Sequence, residues 1–200
     1  MRRLLWTGMK ILPAAVVLVP VFWILYGTVY RRNWRKSVLH CLFFLYLSAV
    51  FTLVGIPDVT YIRFDLNLNL IPLWGMAEDF KNSILNILLF VPLGFFLPLL
   101  WERFGKKRAV VLFGFSMSLL IEILQIFTYR ATDVNDLITN TCGAIVGFMV
   151  AEYAMRKHPA IMDGVDRSRT GELYALWAMA FLVMFFVHPF LSVLIWNRIL

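Results

Sequence analysis

Runs of apolar residues about as long as a bilayer is thick recur along this chain, and they leave it few folds to choose from. A helix needs about 20 apolar residues to cross the hydrocarbon core. Backbone polar groups in lipid must be satisfied within the spanning element itself. Five runs have or approach that length: Ile11–Tyr30, Ser37–Ile56, Ser83–Trp101, Arg108–Thr128 and Glu172–Trp196. A sixth, Leu137–Tyr153, is shorter and carries Asn140, Thr141, Gly143 and Gly147. The expected fold is therefore an all-α integral membrane protein, a bundle of about six transmembrane helices, or five if the first run does not cross. Composition agrees. Of the 200 residues 61% are hydrophobic, against about 45–50% in a soluble domain.

The pattern divides the chain into three parts. Residues 1–56 hold two N-terminal spans, residues 57–155 an outer loop and three spans rich in polar residues, and residues 156–200 a basic loop and the last span. The net charge of +7 comes from short basic clusters between spans. Arg31, Arg32, Arg35 and Lys36 follow the first run. Arg103, Lys106, Lys107 and Arg108 lie between the third and fourth, and Arg156, Lys157, Arg167 and Arg169 between the fifth and sixth. The second-to-third loop has only Arg63 and Lys81, and the fourth-to-fifth only Arg130. Lys and Arg mark cytoplasmic loops, so the three basic loops are expected inside. Arg2, Arg3 and Lys10 pull the N-terminus the other way, and the first run reads as a retained helix rather than a cleaved signal. No basic-aromatic platform points to nucleic acid. Cys41 and Cys142 lack metal-ligand or CxxC spacing and read as packing residues. No metal or cofactor site is expected.

Polar side chains inside a span cost free energy unless paired, and so mark candidate sites. Asn82 and Asn86 open the third span four residues apart, on one helical face. Pro92 follows as a candidate kink. Glu122 and Gln125 share a face near the end of the fourth. The next loop carries Arg130, Asp133, Asn135 and Asp136, and Asp136 and Asn140 are again four apart. The third span starts, the fourth ends and the fifth starts at one membrane face, so Asn82, Asn86, Glu122, Gln125, Arg130, Asp133, Asp136 and Asn140 are expected to gather there as a ligand-binding cluster. Glu122, Asp133 and Asp136 are the candidates for acid–base work. Gly143 and Gly147 form a GxxxG that suits close helix packing. In the loop before the third span, Phe64, Leu66, Leu68 and Leu70 alternate with Asp65, Asn67 and Asn69, the period of a strand or an interfacial segment. The loop containing Asp163, Gly164, Arg167 and Ser168 reads as a solvated link. His40 and His188 stand alone and read as packed or interfacial residues.

Three of these stretches together resemble the VanZ-like membrane proteins. The run from Asn82 through Asn86, Phe90, Pro92 and Gly94 to Pro98 is similar to the family's first motif, and Glu122-Ile-Leu-Gln125 to its second. Arg130-Ala-Thr-Asp133-Val-Asn-Asp136-Leu-Ile-Thr-Asn140-Thr-Cys-Gly143, with Gly147, is similar to its third. Asn69-Leu-Ile-Pro72 resembles the approach to the first motif. The resemblance covers roughly residues 57–153. Asn135 departs from it, standing where an acidic residue is expected. It implies a multi-pass protein of the bacterial cell membrane, with membrane lipids or lipid-linked envelope molecules as partners. The family's namesake is associated with low-level resistance to teicoplanin, a lipoglycopeptide. The leading expectation is a non-enzymatic protein that binds or moves an amphipathic envelope ligand at the outer leaflet. An intramembrane enzyme acting on a lipid-linked substrate, and a purely structural subunit, are the competing readings.

Overall fold

A computed structural model describes residues 20–21, 23–30, 33–76, 79–128, 131–162, 165 and 167–199. Most of the first apolar run lies outside them. Helices are numbered in chain order. The first element, counted as α1, is the π-helical stretch Leu25–Val29. It is followed by α2 (Trp34–Val54), α3 (Phe80–Leu100), α4 (Lys107–Gln125) and α5 (Val134–Lys157). The last are α6 (Thr170–Leu182) and α7 (His188–Ile199), joined by a π-helical turn, Val183–Val187. Among the described residues, α2, α3, α4, α5 and the continuous stretch Thr170–Leu194 are long and apolar enough to cross a membrane. The chain is a helical membrane protein.

The ends of the helices follow from their caps. Before α2, the Asn33 side chain accepts from Lys36 N at 3.1 Å, and Gly55 closes the helix at φ 68° with its N–H on the Phe51 carbonyl. These are an Asx N-cap and a left-handed glycine C-cap. At α5 the Asp133 side chain caps Asn135 N at 2.8 Å. The helix therefore begins earlier than the apolar run Leu137–Tyr153 suggests. It also ends later, because Arg156 and Lys157 suit the negative end of the dipole. Its 24 residues reach about 36 Å at 1.5 Å per residue. α3 continues through Pro92 and Pro98.

The contacts separate two compact units, one of residues 63–170 and one of residues 1–62 with 171–200. In the second unit, Phe43, Phe44, Leu47 and Phe51 of α2 are fully or almost fully buried, as are Leu173, Leu176 and Ala180 of α6. Phe51 meets Trp177 edge-on at 5.8 Å, and Trp177 stacks on Phe181. His40 is buried against Tyr30, with its Nδ1 2.8 Å from the Lys36 carbonyl. The Phe185 carbonyl in the π-helical turn accepts from Val59 N at 3.1 Å.

The first unit, residues 63–170, holds α3, α4 and α5. α3 and α5 run parallel and touch through backbone. A methyl group placed on Gly94 would collide with the Ala144 carbonyl, one on Gly143 with the Ile87 carbonyl, and one on Gly147 with the Val91 carbonyl. α4 runs antiparallel to both and meets α5 through side chains, with Gly114 opposite the Ala144 methyl. Phe90, Leu93, Leu97, Val110, Ile121, Ala144 and Ala151 are buried here. Cys41 is buried in its own unit, but Cys142 is exposed on the outward side of α5, so only the former packs as the sequence reading expected.

The period-two segment makes a short strand, one of the two forms its alternation suggested: β1 (Leu68–Asn69), paired in parallel with β2 (Thr132–Asp133). Ahead of it, Arg63 N and Asp65 N donate to the Phe127 and Ile126 carbonyls just past the end of α4, groups that a helix end leaves without intrahelical partners. The link after α5 is less solvated than its composition suggests. Val165 and Ser168 are buried, and Ser168 N donates to the Leu100 carbonyl at 2.6 Å. The C-terminal carbonyls of α3 need partners, and this loop supplies one.

Candidate functional site

The beginnings of α3 and α5 and the end of α4 meet at one face of residues 63–170, and polar side chains join them there. Asn86, in the second turn of α3, donates through Nδ2 to Asp136 Oδ1 in the first turn of α5 at 2.6 Å. Glu122, in the last turn of α4, is 4% exposed. Its Oε2 accepts from Asp133 N at 2.9 Å, and its backbone carbonyl accepts from Thr132 Oγ1 at 3.1 Å. One turn further along α4 and α5 into the membrane, Asn140 Nδ2 donates to Ser118 Oγ at 2.9 Å, with both residues buried. Each of the three helices is thus tied to at least one other by a polar bond. In a medium that offers no water such bonds are retained because the alternative is an unsatisfied group.

Both carboxylate oxygens of Asp133 are engaged. Oδ1 caps α5, and Oδ2 accepts from Asn69 Nδ2 at 3.0 Å. Asp133 therefore fixes the turn and ties it to β1. Glu122 lies within electrostatic range of both Asp133 and Asp136. Three carboxylates can cluster here because they surround the N-terminus of α5, where the helix dipole and free N–H groups favour negative charge. Among the described residues no three His, Cys, Asp or Glu side chains are grouped as a metal ion would require.

The remaining candidates fall into different places. Gln125 is buried one turn from Glu122, and its backbone carbonyl accepts from Thr128 Oγ1 at 2.9 Å. Asn82 is exposed, and its amide is taken by Asp79 Oδ2 at 2.7 Å rather than by α5. Arg130 lies outside the described residues. The buried Oδ1 of Asn140 has no hydrogen-bond partner.

Three residues outside the expected cluster complete the arrangement: Asn69, Ser118 and Asn135. Asn69 and Ser118 carry no spacing signal, because their partners lie far off in the sequence. Asn135 is buried and clasps the turn before α3 with both ends of its amide. Oδ1 accepts from Leu73 N at 2.7 Å, and Nδ2 donates to the Trp74 carbonyl at 3.0 Å. Leu73 itself sits at φ 65°, a left-handed conformation that a branched side chain rarely adopts without support. A carboxylate at 135 could accept but not donate, which accounts for an amide where an acid was expected. Asn135→Asp should lower stability by about 1–3 kcal/mol, the cost of leaving a buried polar group unsatisfied. Chemical denaturation in detergent measures it, and an unchanged midpoint would show that the clasp contributes nothing.

A family model described as VanZ/LLP1 matches residues 37–155. Protein VanZ of Enterococcus faecium is 39% identical over 84 residues, which are 40% of this chain and 50% of that protein. The chain thus spans about half the length of this relative. No solved structure matches.

Proposed function

This chain belongs to the VanZ/LLP1 family, and we propose that it binds or moves an amphipathic ligand of the cell envelope at the outer leaflet of a bacterial cell membrane. The ligand class is a lipid-linked wall precursor, a phospholipid or a lipoglycopeptide, and the last would connect the protein to glycopeptide resistance. The observation that carries the reading is the polar layer joining α3, α4 and α5. Asn86, Glu122 and Asp136 place hydrogen-bonding groups where the spans meet the membrane face, and a head group would find donors and acceptors there beside apolar helix surface. Arg130, two residues before Thr132, adds a guanidinium of the kind that pairs with phosphate or carboxylate.

The engagement of Asp133 weighs against the enzymatic alternative. An acid–base pair needs free carboxyl oxygens, and both of its oxygens are occupied. Glu122 and Asp136 remain the only described pair for that chemistry. The purified protein in nanodiscs, challenged with a lipid-linked precursor, phospholipids and a lipoglycopeptide, discriminates the readings. Saturable binding without product supports the proposal. Turnover would replace it with the enzyme, and no binding to any of the three would leave a structural subunit.

Orientation has its own test. Lys106 and Ala131 are both exposed, at opposite ends of α4. In a background with Cys41 and Cys142 replaced, Ala131→Cys should react with an impermeant thiol reagent on intact cells, and Lys106→Cys only after lysis. The charge distribution of the loops predicts this order, and the reverse would place the polar layer in the cytoplasm.

A further inference from the structure

The segment ahead of α3 has two unlike edges. One is pinned to the polar layer: Asp65 N to the Ile126 carbonyl, Asn67 O to Thr132 N, Asn69 Nδ2 to Asp133, and the Leu73–Trp74 turn to Asn135. The other edge is apolar and exposed, and at its start Phe64 meets the Phe127 ring at 6.0 Å. Phe64, Leu66, Leu68, Leu70, Leu73 and Trp74 are all exposed, from 43% at Leu68 to 71% at Trp74. From Leu66 to Met76 there is no charged residue. Apolar exposure on this scale marks a surface that something covers.

We propose that residues 64–76 lie in the membrane itself, with lipid acyl chains of one leaflet covering the apolar edge, so that the loop forms a lipid-side wall beside the polar layer. Three observations select lipid as the occupant. The apolar edge leads into the start of α3, whose Ile84, Leu85 and Leu88 are also exposed and belong to a span that lipid must cover. The inward groups of the loop, Asp65 N, Asn67 O, the Asn69 amide and Leu73 N, are paired with the polar layer, so these do not add to the cost of placing the segment against hydrocarbon. Trp74, the most exposed of the six, sits near the head of a span, the level at which tryptophan concentrates in membrane proteins.

The inference rests on the membrane fold and not on any ligand. A failed binding experiment leaves it standing, and its own failure leaves the binding measurement intact. Nitroxides are attached to Leu66→Cys, Leu70→Cys and Trp74→Cys, in the full chain lacking Cys41 and Cys142. The protein is reconstituted in phosphatidylethanolamine–phosphatidylglycerol vesicles, with Lys106→Cys as the aqueous reference. At each of the three sites collision with oxygen should exceed collision with a water-soluble nickel chelate several-fold, and the reference should show the opposite. Nickel access equal to or above oxygen access at all three sites would overturn the proposal in favour of a solvated loop. Low access to both, with spin–spin broadening that disappears on dilution with unlabelled protein, would overturn it in favour of a second copy of the chain. Should the cysteine variants fail to fold, a lipid-borne photolabel on the wild-type protein gives the same decision. Label in the peptide containing residues 64–76 supports immersion, and label confined to the helices refutes it.

Discussion

Gly147→Leu should leave little folded protein. A methyl group at this position already collides with the Val91 carbonyl oxygen and stands 2.9 Å from Phe95 N. Both obstacles are backbone, so no rotamer change relieves them and the whole of α3 would have to move. Overpacking a core by a few methylenes costs about 1–3 kcal/mol when side chains can adjust, and here the cost should exceed that range. Gly143→Leu meets the Ile87 carbonyl in the same way. Gly171→Leu is the control, because nothing lies within 4 Å of a Cβ there. Folded yield by size exclusion and the thermal midpoint in detergent should collapse for the first two and stay near wild type for the third. Wild-type behaviour of Gly147→Leu would mean that the two helices do not pack through this face.

Glu122→Gln should separate binding from folding. The amide oxygen of glutamine can still accept from Asp133 N, and the side-chain volume hardly changes, so the thermal midpoint should stay close to that of the wild type. Affinity for the envelope ligand should fall at least about tenfold, equivalent to about 1.4 kcal/mol. Asp136→Asn is expected to do the same while still accepting from Asn86. Groups that act as a unit lose their effect together, so the double variant should bind no more weakly than the worse of the two singles. Lipid binding by purified variants in nanodiscs measures all three. Unchanged binding in both singles would remove the polar layer from the function, and additive losses would mean that the two carboxylates meet the ligand separately.

Helices α2 to α6 were legible because their physical cause is local. A run of apolar residues long enough for a bilayer is visible without knowing any partner, and the differences lay at ends where caps such as Asp133 start a helix before its apolar part, and in the last run, which a π-helical turn divides into α6 and α7. Spacing along one helix was a weaker guide. Asn82 and Asn86 share a face by that argument, yet Asn86 turns to Asp136 on α5, whereas Asn82, in the first turn of α3, is taken by the nearby Asp79. The least legible features depend on contacts between distant residues. The clasp of Asn135 on Leu73 and Trp74, the bond from Asn69 to Asp133 and the seating of Ser168 on Leu100 follow no periodicity, since each exists only because two loops arrive at the same helix ends. The alternation in residues 64–70 correctly marked an extended segment. It could not say that the segment would pair with Thr132 and Asp133, because nothing in a single strand names its neighbour.

The backbone-tight seam between α3 and α5 also has a mechanical consequence. Carbonyl groups of one helix rest where the glycines of the other leave no side chain, so sliding by even a fraction of a residue would drive those carbonyls into neighbouring side chains. The two helices therefore form a single rigid lever with no slip plane between them. α4 is held to α5 differently, by the Ser118–Asn140 and Glu122–Asp133 hydrogen bonds and by side chains packed beside Gly114, and a hydrogen bond can be remade on a new partner where a backbone collision cannot be relieved. If a ligand is carried and not merely held, the stroke belongs to α4, moving against a fixed pair.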